Sequence, residues 1–120
     1  MQTKRSVRIA EFIKREISRI IFEEIKDPGI EFVTITNVTI TPDLKYAKIY
    51  YSVIGDAADK EKVDARLQAA TKFIRSELGK VIEFRHVPEI KFYYDVVTDR
   101  VDRLDRLFAK IREEQDSPDQ

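Results

Sequence analysis

A stripe of apolar residues runs through the first 26 residues of the chain: Ala10, Ile13, Ile17, Ile20 and Ile21. Because these positions recur at steps of three and four, they predict a helix from about residue 4 to residue 26. The sequence Asp27-Pro28-Gly29 predicts its end, since proline lacks a backbone donor and disfavours helical geometry in the residue before it. We expect the stripe to face a core and the opposite, basic side to face solvent.

Alternation with a period of two follows and predicts a hairpin of two strands over residues 30–40 and 45–53. In the first strand the alternation changes phase between Ile35 and Val38, which indicates a bulge near Asn37 or a strand buried on both faces. One face of the second strand carries Ala47, Ile49, Tyr51 and Val53, and the other carries Tyr46, Lys48, Tyr50 and Ser52.

Helical spacing returns between Val63 and Val81, with Asp59 as the expected N-cap of a helix that begins near residue 60. Pro88 interrupts this pattern, and residues 89–97 predict a third strand with alternate apolar side chains inward. Three strands with helices on one face define an α+β two-layer domain.

The sequence divides into three parts by pattern. Residues 1–97 form the predicted domain, and residues 98–111 form an amphipathic helix capped by Thr98. Residues 112–120 are acidic and contain a proline, so we expect a disordered tail.

Composition excludes several function classes. The chain has 120 residues, zero net charge, no cysteine and one histidine, His86, which rules out thiolate sites and clusters of histidine ligands. With glycine only at positions 29, 55 and 79, neither a Walker loop nor GxGxxG can be written. We therefore predict no catalytic residue, no metal and no cofactor. Nor is there a long apolar run, so we expect a protein that is neither exported nor inserted in a membrane.

Positive charge is nevertheless concentrated in two stretches. Residues 1–26 carry seven basic residues against four acids, and residues 72–91 carry five against three. A cationic face can bind a polyanion by releasing its counterions, although such charge also occurs on ordinary solvated helices. The candidate RNA-binding residues are Arg5, Arg8, Arg15 and Arg19 in the first stretch, and Lys72, Arg75, Lys80 and Arg85 in the second.

Several runs of residues, in this order and spacing, resemble the ribosome-binding factor A family over residues 5 to about 108. The first are RIAEFIKRE at positions 8–16, TITNV at 34–38 and PDLKYAK at 42–48. The most specific is FIRSELGK at 73–80, followed by RHVPEI at 85–90 and FYYD at 92–95.

This resemblance implies a type II KH-like fold of order α-β-β-α-(kink)-α-β, in which a kink between the second and third helices replaces the GXXG loop. The kink position reads Ala70-Thr71-Lys72, with lysine where the family has glycine. The family also implies a non-enzymatic, cytoplasmic protein that binds the immature 30S ribosomal subunit and its 16S rRNA, and that assists rRNA processing and cold adaptation. We expect a monomer with no membrane contact.

A second interpretation comes from a different class of protein. The chain could be a protein-interaction module with no RNA contact, in which the hairpin edge at 45–52 or the amphipathic residues 99–111 bind a partner. In that case the basic faces serve only to solvate the domain.

Overall fold

A computed structural model of the chain describes residues 4–30, 32–53, 60–83 and 86–115. Its helices are α1 (Lys4–Arg19), α2 (Lys60–Gly79) and α3 (Val96–Gln115). Its strands are β1 (Val33–Ile40), β2 (Tyr46–Val53) and β3 (Glu89–Tyr94). Their order is α-β-β-α-β, followed by the C-terminal helix, and the predicted α+β class is confirmed.

The helix α1 is stabilised by burial of its apolar stripe against the core. Ala10, Ile13 and Ile17 are buried. Beyond Arg19 the backbone continues as one π-type turn, Ile20–Glu24. The amide of Ile25 donates to the carbonyl of Ile20 at 3.2 Å and closes this turn. The helical path then ends ahead of Pro28, as the sequence predicts.

The sheet has the order β1-β2-β3, so β2 is paired on both sides. It runs antiparallel to β1 and parallel to β3. The pairing with β1 shifts between Ile35 and Asn37, which leaves Thr36 as the extra residue of a bulge. Ile35 and Val38 therefore both point into the core, and the predicted bulge is confirmed.

Tyr51 in β2 joins the sheet to α2. Its hydroxyl donates to Asp64 Oδ1 at 3.0 Å, and its ring meets those of Phe92 and Tyr94 edge to face, with centroids 6.5 and 5.6 Å away. Burial, and then the hydrogen bond to Asp64, raise the pKa of Tyr51, so the phenol remains a donor at neutral pH. The core thus contains one satisfied polar group at the junction of its two layers.

At Ala70-Thr71-Lys72, where the family resemblance implies a kink, α2 continues as one α-helix without interruption. Alanine and lysine are good helix formers, and Leu44 alone among the described non-glycine residues has a positive φ. Thr71 Oγ1 donates to the carbonyl of Leu67 at 3.0 Å, one turn back, which is the contact that a threonine makes inside a helix. The helix ends instead at Gly79.

The strand β3 ends at Tyr94, three residues earlier than predicted, and Asp95 caps the last helix in place of Thr98. Asp95 Oδ1 accepts the amide of Thr98 at 3.0 Å, and Oδ2 accepts the hydroxyls of Thr98 and Thr36 at 2.8 and 2.6 Å. Burial raises the pKa of Asp95, but these hydrogen bonds outweigh it and hold the pKa below its ordinary value.

Helix α3 corrects the predicted boundaries at 98–111 and 112–120, because it begins at Val96 and reaches Gln115. Residues 116–120 of the predicted tail, like the predicted cap Asp59, lie outside the described residues. The helix leaves the body of the domain, and the principal extents of the molecule are 65 × 33 × 21 Å. Its large apolar side chains are between 41% and 72% exposed: Val96, Val97, Val101, Leu104, Leu107, Phe108 and Ile111.

We predict that Asp95→Ala reduces the stability of α3 and its junction with β1 by about 1 kcal/mol, the ordinary effect of losing an N-cap. Because the folded pKa of Asp95 is depressed, its contribution is present above the unfolded value of about 4 and is lost as the pH falls through the folded value. Urea denaturation followed by circular dichroism measures this difference. Wild type and Asp95→Ala should differ at pH 7 and converge near the acid limit.

The matched control is Asp95→Asn, since asparagine also caps helices but does not titrate. It should be more stable than Asp95→Ala by an amount that does not change with pH. If Asp95→Ala has the same free energy of unfolding as the wild type at pH 7, Asp95 does not stabilise the helix as its cap.

Candidate nucleic-acid interface

The solvent side of α1 presents three of the predicted cations, Arg5, Arg8 and Arg15, which we call the α1 basic face. All three are exposed. None has a carboxylate within ion-pair distance among the described residues. Their backbone lies on a helix whose other side is fixed in the core, so the charges are held on a rigid element. This face can accept phosphates without first breaking an internal ion pair.

Arg19 belongs to the same predicted set but is engaged within the protein. Its guanidinium contacts Glu16, Glu23 and Glu24 at 2.9, 3.3 and 3.7 Å. The hydrogen bonds that Arg19 donates to Glu16 and Glu23 raise its pKa, and the carboxylates surround the guanidinium with negative charge. A phosphate would have to compete with these three carboxylates.

A shallow groove of about 810 Å³ lies between α2 and the segment that leads into β3. Lys72, Arg75 and His86 line it, together with polar side chains of the same helix. Lys72 is exposed and, within the described residues, has no ion-pair partner. The groove therefore combines a free cation with hydrogen-bonding groups along one side of a helix.

Arg75 lines this groove and also binds the backbone of the segment that forms its other side. Its guanidinium donates to the carbonyls of Val87 and Pro88 at 2.8 and 3.1 Å, and it lies 3.3 Å from a carboxylate oxygen of Glu89. These bonds fix the chain just before β3 begins. Arg75 thus has a structural role that the surplus of charge in the sequence does not reveal.

The other two predicted cations of this stretch contribute less to the groove. Lys80 Nζ lies 2.8 Å from Glu77 Oε1 and lines no part of the groove. This bond raises the pKa of Lys80. Arg85 lies outside the described residues.

Gly79 allows the groove wall to approach α2. A Cβ at this position would lie 3.0 Å from Val87 Cγ2, closer than ordinary van der Waals contact. The close passage of the 86–88 segment therefore favours glycine here, since a larger residue would force Val87 to shift, and no unusual backbone angle is involved.

No function is predicted for His86 from its sequence position, and the structure places it, exposed, in the groove that Lys72 also lines. Gln68 and Ser76 line the same surface. Gln68, Lys72 and Ser76 follow one another at steps of four, which places them on one side of the predicted helix. This spacing is the feature of the sequence that could have indicated a shared surface. The segment that carries the histidine could not be placed from sequence, because its position depends on Arg75.

Within the described ranges, no group of three or more histidine, cysteine or carboxylate side chains is arranged to hold a metal ion. No helix in the described part of the chain is both long enough and apolar enough to cross a membrane. Tyr51 and Asp95 have shifted pKa values and make partly buried hydrogen bonds, and both side chains stabilise the fold. The available chemistry is that of charge and hydrogen bonding on two helical surfaces.

Two helices packed on one face of a mixed β1-β2-β3 sheet define a type II KH-like domain, here without a GXXG loop. The family model for ribosome-binding factor A matches residues 5–108. The chain belongs to the ribosome-binding factor A family.

Known proteins support this assignment over almost the whole chain. Ribosome-binding factor A of Desulfitobacterium hafniense is 44% identical over 117 residues, which cover 97% of this chain and 93% of the relative. The crystal structure of ribosome-binding factor A from Thermus thermophilus shares the fold with a TM-score of 0.66 and 18% identity, and the match covers 74% of this chain and 94% of that one. A Thermus homology model fitted into the map of a 30S–ribosome-binding factor A complex gives a TM-score of 0.59 and 18% identity, over 70% of this chain and 88% of that one.

We predict that Arg75→Gln lowers the free energy of unfolding by about 1–2 kcal/mol, because the carbonyls of Val87 and Pro88 lose a charged donor at a partly exposed site. Lys72→Gln removes the same charge three residues earlier and should change stability by less than about 0.5 kcal/mol. Urea denaturation of both variants measures the difference. Equal stabilities would show that the bonds of Arg75 contribute nothing.

Proposed function

We propose that this protein is an assembly factor that binds the immature 30S ribosomal subunit in the cytoplasm and assists the processing and maturation of its 16S rRNA, including during cold adaptation. Membership of the ribosome-binding factor A family supports the proposal, as does the 30S complex of the Thermus relative. The observation that carries it is the α1 basic face, where three arginines are held on a rigid helix with no internal ion pair among the described residues.

The proposed contacts go mainly to phosphates. Arginine side chains bind phosphate oxygens with charge-assisted hydrogen bonds, and such contacts position a protein on RNA without reading its sequence. Lys72, in the groove beside α2, adds a further cation on the same helical layer of the domain. Arg75 acts by holding the groove wall, and Arg19 and Lys80 contribute less because glutamates already surround or contact them.

A second candidate function rests on α3. Val97, Val101, Leu104, Phe108 and Ile111 follow one another at steps of four, three, four and three residues, the spacing of a seam that packs against another helix. All are at least 41% exposed. This stripe favours contact with an apolar surface of a protein, in addition to RNA contact by the helical layer.

We predict that Arg8→Gln with Arg15→Gln weakens co-sedimentation with immature 30S particles and lowers the slope of log affinity against log salt by about 2, since two phosphate contacts are lost. Thermal unfolding should be nearly unchanged, because both side chains are exposed and unpaired within the described structure. Sedimentation at a series of salt concentrations provides the measurement.

The matched control is Arg19→Gln, which removes the same charge from the same helix at a position surrounded by glutamates. It should change binding by less than about twofold. If the double variant sediments like the wild type at every salt concentration, the α1 basic face does not bind the particle.

We predict that Leu104→Ser with Phe108→Ser reduces capture of ribosomal proteins by the full-length protein after nuclease treatment, because the apolar stripe is interrupted at its centre. Arg106→Ser, on the opposite side of α3, is the control and should leave capture intact. Affinity purification with and without nuclease compares the variants. Capture that disappears on nuclease treatment of the wild type would exclude a direct protein contact.

A further inference from the structure

The face of the sheet turned away from α1 and α2 carries an arrangement that the helical surfaces do not explain. Ile49 and Phe92 are buried against the helices, so their neighbours Lys48, Tyr50, Lys91 and Tyr93 point to the opposite side. We call these four residues the outer sheet face. In the parallel pairing of β2 with β3, lysine lies opposite lysine and tyrosine opposite tyrosine.

The two tyrosines form a continuous aromatic surface. The ring centroids of Tyr50 and Tyr93 are 5.8 Å apart, and the ring planes are inclined by 32°. Both residues are half-buried. Each ring therefore has part of its surface available to a flat ligand.

The lysines are placed at the margin of this surface. Lys48 Nζ and Lys91 Nζ lie 5.9 and 5.7 Å from the centroid of the Tyr93 ring. Neither has a carboxylate partner among the described residues. Like charges beside each other on a sheet repel, although both lysines also lie within cation–π distance of the Tyr93 ring. A polyanion bound at this face would remove the repulsion.

The strand β1 continues the surface with neutral hydrogen-bonding groups. Asn37 pairs with Tyr50 and Thr39 pairs with Lys48 in the register of β1 with β2. Asn37 is exposed, and Glu89, the carboxylate that the alternation of β3 places on the same side, lies 3.3 Å from the guanidinium of Arg75. Across the strands the surface thus offers aromatic rings, cations and amide or hydroxyl groups, and its carboxylate Glu89 is engaged by Arg75.

We propose that the outer sheet face binds single-stranded RNA, with bases stacked on Tyr50 and Tyr93 and with phosphates held by Lys48 and Lys91. Aromatic side chains on a sheet stack on unpaired bases, and lysines beside them follow the backbone of the strand. A base in a duplex already stacks on its neighbours, so the preferred ligand is unpaired. An acidic peptide would satisfy the lysines but would leave the two rings without a partner.

This site lies on the other layer of the domain from the α1 basic face, and it goes beyond the proposed function. Loss of one surface can therefore be measured while the other is intact. The helical layer would contact the folded particle through phosphates, whereas the outer sheet face would hold an unpaired segment.

The test measures binding of a fluorescein-labelled ten-nucleotide oligouridine to the full-length protein by fluorescence anisotropy. Tyr50→Leu with Tyr93→Leu retains apolar side chains but removes both rings, and should weaken binding on the order of tenfold or more. Lys48→Gln with Lys91→Gln should reduce the salt slope by about 1.4, since two contacts to single-stranded RNA are lost. Circular dichroism checks that each variant is folded.

Two controls separate this site from the helical surfaces. Arg8→Gln with Arg15→Gln should keep oligouridine binding within about threefold while losing particle binding. Photocrosslinking with 5-iodouridine should attach the RNA at Tyr50 or Tyr93, and this readout remains decisive if the tyrosine variants fail to fold.

Four results would overturn the proposal: crosslinks confined to α1 and α2, leucine variants that bind as tightly as the wild type, a hairpin RNA that competes as well as unlabelled oligouridine, or polyglutamate that does so. The last would identify the face as a general cationic patch. A hairpin RNA of the same length should compete poorly, and equal competition would exclude recognition of unpaired bases.

Discussion

The alternation of side chains along β2 decides what each layer of this domain presents. Because β2 is the central strand, its phase fixes the inner and outer sides of both neighbours at once. Ile49 and Tyr51 point inward and are almost fully buried, whereas Lys48 and Tyr50 point outward. A slip of one residue would put a lysine in the core, so burial of the inner set strongly specifies the register. The outer set is then held in place without contributing to the core.

The parallel strand β3 depends on two charged side chains at its ends. An antiparallel strand can be positioned by a tight turn, but a parallel one arrives through a long crossover and needs other restraints. Arg75 binds the carbonyls of Val87 and Pro88 at its entry. At its exit Asp95 accepts hydrogen bonds from Thr36 and from the first turn of α3. Each charge satisfies several groups, so the strand is fixed by few residues.

Much of this fold follows from local patterns in the sequence. The stripe of α1 predicts its buried face, and the change of phase after Ile35 predicts the bulge, because each depends only on neighbouring residues. The end of β3 does not, since Val96 and Val97 continue a strand-like sequence, and Asp95 at the strand end also accepts a hydrogen bond from Thr36, 59 residues away. The kink expected near Lys72 came from a family feature, whereas the residues at this position favour the uninterrupted helix that α2 forms.

The site shows the same division between local and distant information. The exposed side of α1 could be predicted, because a helical wheel places Arg8 and Arg15 opposite the apolar stripe. The charge surplus near Arg75 could also be counted, but the carbonyls that engage its guanidinium come from 12 and 13 residues further along the chain. Counting charges thus locates basic stretches without separating cations that are free from cations that hold the structure.

The sparse packing of α3 makes stability uneven along the chain. A helix of 20 residues that buries little of its apolar side depends mainly on its own hydrogen bonds and on its cap, and such helices are marginal in water. We therefore expect local opening of α3 to cost less free energy than opening of the sheet. A surface that gives α3 something to pack against would supply the missing free energy, so the helical content of this segment becomes a property of the complex as much as of the chain.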